Sequence, residues 1–189
     1  MSEPYAWSWS RLNAFEQCAR QFFHTTVIKQ YPFIKSAQMM RGDKLHKSIE
    51  NHIKFNRPLD SEVAHLSGML AKIKAVKWDV REVEQEITLR YDKSETSWFG
   101  KDAWLRVKID LNAIKGDTAI NYDWKSGRNY GYSDQLKLTA GITMLKYPEV
   151  QKVKSAYVCF DVKQKEEHEF SRKDYNGIWD EFEERADRI

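Results

Sequence analysis

The stretch from Leu105 to Lys125 carries two carboxylates and an ammonium at spacings that could do chemistry. Gly116-Asp117 suits a two-residue hairpin loop, because glycine accepts the positive φ such turns require. With that loop Lys115 faces Thr118, and the register sets Asp110 directly opposite Asp123, with Cβ atoms roughly 4.5–5.5 Å apart. Two carboxylates this close repel, so the pair needs a compensating charge, which a divalent cation on oxygen ligands supplies. Lys125, two residues beyond Asp123, projects from the same strand face. An ammonium there can orient water or stabilise charge on a phosphate. Asp and Lys are also ordinary residues of a solvated hairpin face. What favours chemistry is that the rest of the strand (Ala119, Ile120, Tyr122, Trp124) is apolar, so Asp123 emerges from a sheet that reads as buried.

The elements that must position these groups follow from the hydrophobic period. Ser8 or Ser10 can cap a helix bearing Leu12, Phe15, Cys18 and Phe22. A second helix runs from about Ser36 to Phe55, with Gly42, His46, Ile49 and Ile53 on one stripe. Asp60 or Ser61 can cap a third, whose apolar face is Val63, Leu66, Leu70 and Ile73. The period then changes to two. From Val83 to Tyr91, Val83, Ile87, Leu89 and Tyr91 share one face, while Glu84, Glu86, Thr88 and Arg90 share the other. Strands from Trp104 to Ala113 and Thr118 to Lys125 follow, then a helix from Ser133 to about Lys146 and an apolar strand from Val153 to Val162. A short edge strand precedes a last helix bearing Tyr175, Ile178, Trp179 and Phe182. The order implies a mixed α/β domain whose first strands form a meander.

Composition bounds the function. The 189 residues (22.4 kDa) suffice for one domain with a real core. Two cysteines, Cys18 and Cys159, form neither a disulfide framework nor a four-thiolate iron–sulfur cluster, and Cys18 reads as a small buried residue. No apolar run approaches a membrane span, and the first residues show no secretory signal, so a cytoplasmic protein is expected. With 31 Lys+Arg against 28 Asp+Glu, the net charge of +3 is too mild to announce a nucleic-acid partner by itself.

The segment KIDLNAIKGDTAINYDWKSG resembles the catalytic hairpin of the PD-(D/E)XK nucleases, in particular the RecB-type and phage exonuclease branch. The branch places an aspartate on one strand and Asp/Glu-x-Lys on the next, matched by Asp110, Asp123 and Lys125. Its upstream Gly-x-x-x-His is matched by Gly42 and His46, and its downstream glutamine by Gln135 in SDQLKLTAG. The opening SWSRLNAFEQCARQFF is similar to the branch's N-terminal segment. Two features depart from the pattern: Arg106, Val107 and Lys108 stand where a glycine commonly precedes the first aspartate, and Thr139 stands for a tyrosine after the glutamine.

The resemblance implies a restriction-endonuclease-like α/β fold, a mixed central sheet flanked by helices with an N-terminal helical segment. It would form a single domain over 1–189, with 1–78 mainly helical, 79–170 the catalytic sheet and helix, and 171–189 a C-terminal helix. It implies a metal-dependent deoxyribonuclease acting as an exonuclease in phage or bacterial recombination or repair, within the cytoplasm of a bacterial or phage-infected cell. His46, Asp110, Asp123 and the Trp124 carbonyl would hold one or two Mg²⁺ or Mn²⁺ ions, with Lys125, Gln135 and Glu84 completing the catalytic set. DNA is the implied partner, with a recombination or single-strand-binding protein as a further one. Other readings stay open. His46 shares its stripe with core residues and taken alone reads as a packed histidine, a reading that the Gly42 spacing and the downstream hairpin turn toward metal ligation. Glu84 and Glu86 share a face that also reads as solvated. Arg41, Lys44, Lys47, Lys108 and Arg128 would contact phosphates, and Tyr130, Tyr132 and Trp124 could stack on unpaired bases. A non-cleaving nuclease-like binding subunit and a structure-specific endonuclease are the alternative functions.

Overall fold

The computed structural model describes residues 6–127 and 134–189. Its helices are α1 (Trp9–Gln17), α2 (Ala19–Phe22), α3 (Ala37–Phe55), α4 (Ser67–Ala75), α5 (Asp134–Lys146) and α6 (Tyr175–Ala186). Its strands are β1 (Val80–Leu89), β2 (Leu105–Lys115), β3 (Thr118–Lys125), β4 (Lys152–Cys159) and β5 (Gln164–Ser171). A π-helix occupies Phe23–Val27, and 3₁₀ turns occupy Ser61–Leu66 and Arg172–Asp174. The five strands form one mixed sheet in the order β1-β2-β3-β4-β5. β3 pairs antiparallel with β2 and parallel with β4, α5 making the crossover, and β4 pairs antiparallel with β5. The α/β class and the restriction-endonuclease-like arrangement are therefore as the sequence suggested.

The chain divides into two compact units, 35–85 with 109–175, and 1–34 with 86–108 and 176–189. In the first-named unit the sheet is covered on both faces, and strand alternation explains how. Leu111, Tyr122 and Trp124 project to the face packed by Leu45, Ile49 and Ile53 of α3 and by Leu70 and Ile73 of α4. Ile114 and Ala119 project to the opposite face, against Ala140 and Met144 of α5. Asp123 and Lys125 share the parity of Ala119, so the hairpin aims them toward α5 rather than at the apolar cluster.

The α5 face also buries a polar stripe. Asn112, Asn121, Thr143 and Ser155 are all within 1% of full burial. They satisfy one another: Asn121 Nδ2 donates to Asn112 Oδ1 (3.0 Å), while Thr143 and Ser155 donate to Asn121 Oδ1 (3.2 and 3.3 Å). Asn112 donates on to Gln85, whose amide donates to Tyr147 (3.1 Å each). A closed set of this kind costs little to bury, and it fixes the helix against the strands at one register.

In the other unit, Trp7 packs edge-on to Trp104 and stacks on Phe182, and Arg185 grips Glu16. Three expectations fail here. The first helix breaks at Cys18, whose φ of −163° is extended. Cys18 is exposed rather than buried, its Sγ accepting from the Gln21 N–H at 3.4 Å to cap α2. Tyr91 lies beyond the strand end and is 61% exposed, while Thr88 is buried. The simple alternation fails because Glu84 takes a left-handed φ of +57° inside β1, and such a residue rotates the strand that follows it.

The last turn of α5 is held by one side chain. Arg172 donates to the carbonyls of Met144, Tyr147, Pro148 and Val150 at 2.5–3.0 Å, taking the acceptors a helix end leaves open. Arg172→Met should cost about 2–4 kcal/mol in denaturant unfolding, because several charge-assisted bonds go at once. Arg172→Lys should recover only a minor part, since an ammonium cannot span four carbonyls.

Candidate active site

The site begins where the β2–β3 ladder stops. Pairing runs from Lys115↔Thr118 to Leu111↔Tyr122, in the register read from the Gly116-Asp117 loop. Hydrogen-bonded pairs alternate along an antiparallel ladder, so the next would join Ile109 and Trp124. It does not form. The Trp124 N–H donates instead to Asp110 Oδ2 at 2.8 Å, and the Trp124 carbonyl accepts from His46 Nε2 at 2.7 Å. Asp110 is thereby drawn to Trp124 rather than set squarely against Asp123.

A carbonyl only accepts, so His46 Nε2 carries a proton, and Nδ1 is the nitrogen turned toward the carboxylates. Nδ1 lies 3.5 Å from Asp110 Oδ1 and 3.8 Å from Glu84 Oε1. The three ligand atoms fall within 4.8 Å of one another. All three side chains are largely covered, with 28%, 12% and 13% of the His46, Asp110 and Glu84 side chains exposed. In its neutral form this histidine points a lone pair at the spot two carboxylates also face, a donor set that fits a divalent cation. Without one, the proton takes its place. Burial works against an imidazolium, but hydrogen bonds and charge from Asp110 and Glu84 overcome it and push His46 up to about 10.

Two backbone features make room for this cluster. A Cβ on Gly42 would meet Ser126 Oγ at 3.2 Å, so the glycine lets the end of the β3 hairpin close on α3 one turn before His46. Glu84 reaches the cluster by the left-handed backbone that breaks the strand period. Glu86, its sequence neighbour on the expected face, is exposed and belongs to the other unit.

Asp123 is not in that group. It closes a second one with Lys125 and Gln135. Lys125 Nζ lies 2.8 Å from Asp123 Oδ1 and donates to Gln135 Oε1 at 2.9 Å, while Gln135 Nε2 donates to Asp123 Oδ2. The ammonium also sits 5.2 Å from the Tyr157 ring centre, whose hydroxyl approaches Gln135 Oε1 at 3.5 Å. Burial pushes Asp123 up to about 6, with Lys125 opposing and Asp110 adding to the rise. Burial likewise raises Tyr157 far above its ordinary value, so its hydroxyl stays a donor.

The expected phosphate contacts are placed unevenly. Arg41 is taken by two carboxylates, Glu62 and Asp161, and so braces α3. Lys44 pairs with Asp60 at 2.7 Å but keeps 64% of its side chain exposed, and Lys47 pairs with Glu50. Lys108 is exposed on β2 in the other unit. Trp124 is 1% exposed in the core and cannot stack on a base. Arg128, Tyr130 and Tyr132 lie outside the described residues. Sequence reading missed the buried Asn112–Asn121 stripe, whose signal was two amides facing each other across the hairpin in the register set by Gly116-Asp117.

The PD-(D/E)XK nuclease superfamily model matches residues 6–188. The chain belongs to that superfamily. Its members generally use divalent metals, in keeping with the His46/Glu84/Asp110 group, and nucleic acid is the substrate class the superfamily implies. Among solved structures, an exonuclease candidate from Eubacterium rectale is similar over 98% of this chain and 80% of its own, with 13% identity and a TM-score of 0.55, which supports the fold. A second, the structure named SSO0001, covers 98% and 77% with 16% identity and a TM-score of 0.42. No curated protein matches. Among the described residues, no helix is long and apolar enough to cross a membrane.

Two predictions follow from the protonation and backbone of this site. His46 and Asp123 both bind protons more tightly folded than unfolded. Asp123's contribution to stability is full below its ordinary 3.8 and lost as pH rises through about 6, and His46's is full below 6.5 and lost as pH rises through about 10. In metal-free thermal melts, the stability advantage of the parent over His46→Gln should therefore shrink steadily from pH 6.5 to 10. A constant difference across that range would refute the assignment. Glu84→Gly should relieve a left-handed backbone that costs of order 1 kcal/mol or more, but it also removes one of the carboxylates that hold the His46 proton. Above about pH 10, where that proton is gone, the apoprotein should therefore melt no lower than the parent. The same variant should lose most of its Mn²⁺ affinity by calorimetry, separating ligand from scaffold.

Proposed function

We propose that this chain is a divalent-metal-dependent nuclease that hydrolyses DNA phosphodiester bonds, an exonuclease of the RecB-type and phage branch serving recombination or repair. The observation that carries the reading is the adjacency of two differently built groups around one end of the β2–β3 hairpin. One (His46, Glu84, Asp110) converges lone pairs on a point, and the other (Asp123, Lys125, Gln135) presents an ammonium locked at a carboxylate. The exonuclease description of the Eubacterium rectale structure and the branch motifs support the finer assignment. The superfamily match across both units supports a single catalytic domain over 1–189.

His46, Glu84 and Asp110 would hold Mg²⁺ or Mn²⁺, with Asp123 bordering them. The histidine nitrogen favours Mn²⁺ over Mg²⁺. The ion supplies a more acidic bound water and charge compensation at the phosphate. The residues do the rest. Asp110 and the Trp124 carbonyl hold the imidazole in one tautomer and orientation. Gln135 holds the Lys125 ammonium on the Asp123 side, where it can donate to an attacking water or a non-bridging phosphate oxygen. Asp123, with a pKa near 6, is ionised at neutral pH and can take up a proton from that water. Lys44 and Lys47 are exposed cations of α3 suited to a backbone phosphate.

End-labelled linear and closed circular DNA, each incubated with Mn²⁺, test this directly: the linear form should be shortened from its ends and the circle spared. Lys125→Ala should cleave at least ~100-fold more slowly while binding DNA in Ca²⁺ nearly as the parent does. Asp110→Asn should lose both Mn²⁺ binding and cleavage. Parental cleavage by Lys125→Ala would remove the catalytic assignment and leave a nuclease-like binding subunit.

A further inference from the structure

The sequence from residue 17 to residue 42 contains no Asp or Glu, in a chain where 28 of 189 residues are acidic. The same run contains Arg20, Lys29, Lys35 and Arg41. Its part in the unit that holds 1–34, residues 17–34, also exposes three of its aromatic side chains. Phe23 is 48%, Tyr31 60% and Phe33 78% exposed, next to Ile34 at 81%. Apolar rings are ordinarily the first groups a chain hides, so several in one short segment mark an interaction surface.

The local backbone is unusual in the same place. Phe23–Val27 is a π-helix, a conformation used sparingly and often at functional sites, and Lys29 follows it at a left-handed φ of +49°. Beside it, Arg20, Gln21, His24, Gln30 and Tyr31 line an open cleft of about 410 Å³ together with Cys18 and Thr25. His24 Nδ1 and Gln30 Oε1 lie 2.7 Å apart, which holds the rim in shape. The cleft thus offers an aromatic face, a guanidinium and amide groups, with no carboxylate in the segment to oppose a negative ligand.

We propose that this surface binds an unpaired nucleic-acid strand, so that the substrate of the chain is DNA with a single-stranded end. The inference rests on the nuclease reading for the identity of the ligand. Exposed bases need flat apolar partners and the backbone between them needs cations. Residues 17–34 supply both in Tyr31, Phe33, Arg20 and Lys29, whereas Lys35 and Arg41 are engaged by Asp43 and by Glu62 and Asp161. A duplex hides the base faces and gains nothing from Tyr31 or Phe33. An apolar protein partner would be served by the rings but has no use for a stretch cleared of carboxylates.

Fluorescence anisotropy in Ca²⁺, with a labelled 20-nucleotide strand and the blunt duplex of the same sequence, tests it. The parent should bind the single strand at least tenfold more tightly than the duplex. Tyr31→Ala with Phe33→Ala should lose about tenfold or more for the single strand and little for the duplex, with an unchanged melting temperature. Tyr31→Phe should restore the affinity lost at that position, because the stacking face remains. Arg20→Ala with Lys29→Ala should weaken binding and reduce its salt dependence. Equal affinity for strand and duplex, or a double aromatic variant that binds as the parent does, overturns the proposal. So does sedimentation showing a parental dimer that this variant loses, which assigns the surface to a second copy of the chain. Because binding is read without turnover, a failure here leaves the cleavage test of Asp110 and Lys125 standing, and failure of that test leaves this one readable.

Discussion

The construction of the site depends on a missing pair of hydrogen bonds. Had β2 and β3 continued their ladder one step past Leu111↔Tyr122, Trp124 would have spent both backbone groups on Ile109. Its N–H and carbonyl would then serve only the sheet. With the ladder ended, the N–H fixes Asp110 and the carbonyl fixes His46. A single residue whose ring is buried in the core therefore orients an acid from a strand and a base from a helix. Backbone groups buried without partners are costly, so these two bonds are obligatory once the strands part, and the geometry is correspondingly firm.

The second group inherits its position from farther away. Asp123 and Lys125 are placed by strand parity, but Gln135 arrives on a helix that must neither slide nor rotate. The Asn121 hub ties α5 to β3 and β4 at Thr143 and Ser155, and Arg172 clamps the far end of the helix. The amide stripe sits on the same strand face as Asp123, two residues away. Polar groups that must find one another exclude registers that an apolar interface would tolerate, and here the favoured register is the one that brings Gln135 to Lys125.

Much of this was legible in the sequence, and what was legible was local. The hairpin register followed from Gly116-Asp117 alone, and the helix bearing Gly42 and His46 followed from its apolar stripe. Gly42 was legible as part of the Gly-x-x-x-His pattern, and the structure gives it a steric role against Ser126. What escaped depends on long-range closure. Nothing within β1 announces that Glu84 turns left-handed, because the turn is stabilised by what lies around it. The engagement of Arg41 by Asp161 joins residues 120 apart in sequence, which no window reveals. Cys18 looked like a core position because the helical stripe was extended through it, whereas the chain breaks there and restarts under a sulfur cap.

The two carboxylates of the His46 group also show what the imidazole does for the cluster. Glu84 and Asp110 are mostly covered and face the same point, an arrangement that repulsion would open if nothing positive stood between them. The imidazole resolves this by taking a proton at Nδ1, which is why burial fails to keep it neutral. A divalent cation held by this group would compete with that proton for one lone pair. A lysine in that position could supply the charge but would offer a cation no lone pair at neutral pH, and an asparagine could offer neither. Histidine alone among the side chains can hold the cluster together empty and still present a nitrogen to the ion that displaces its proton.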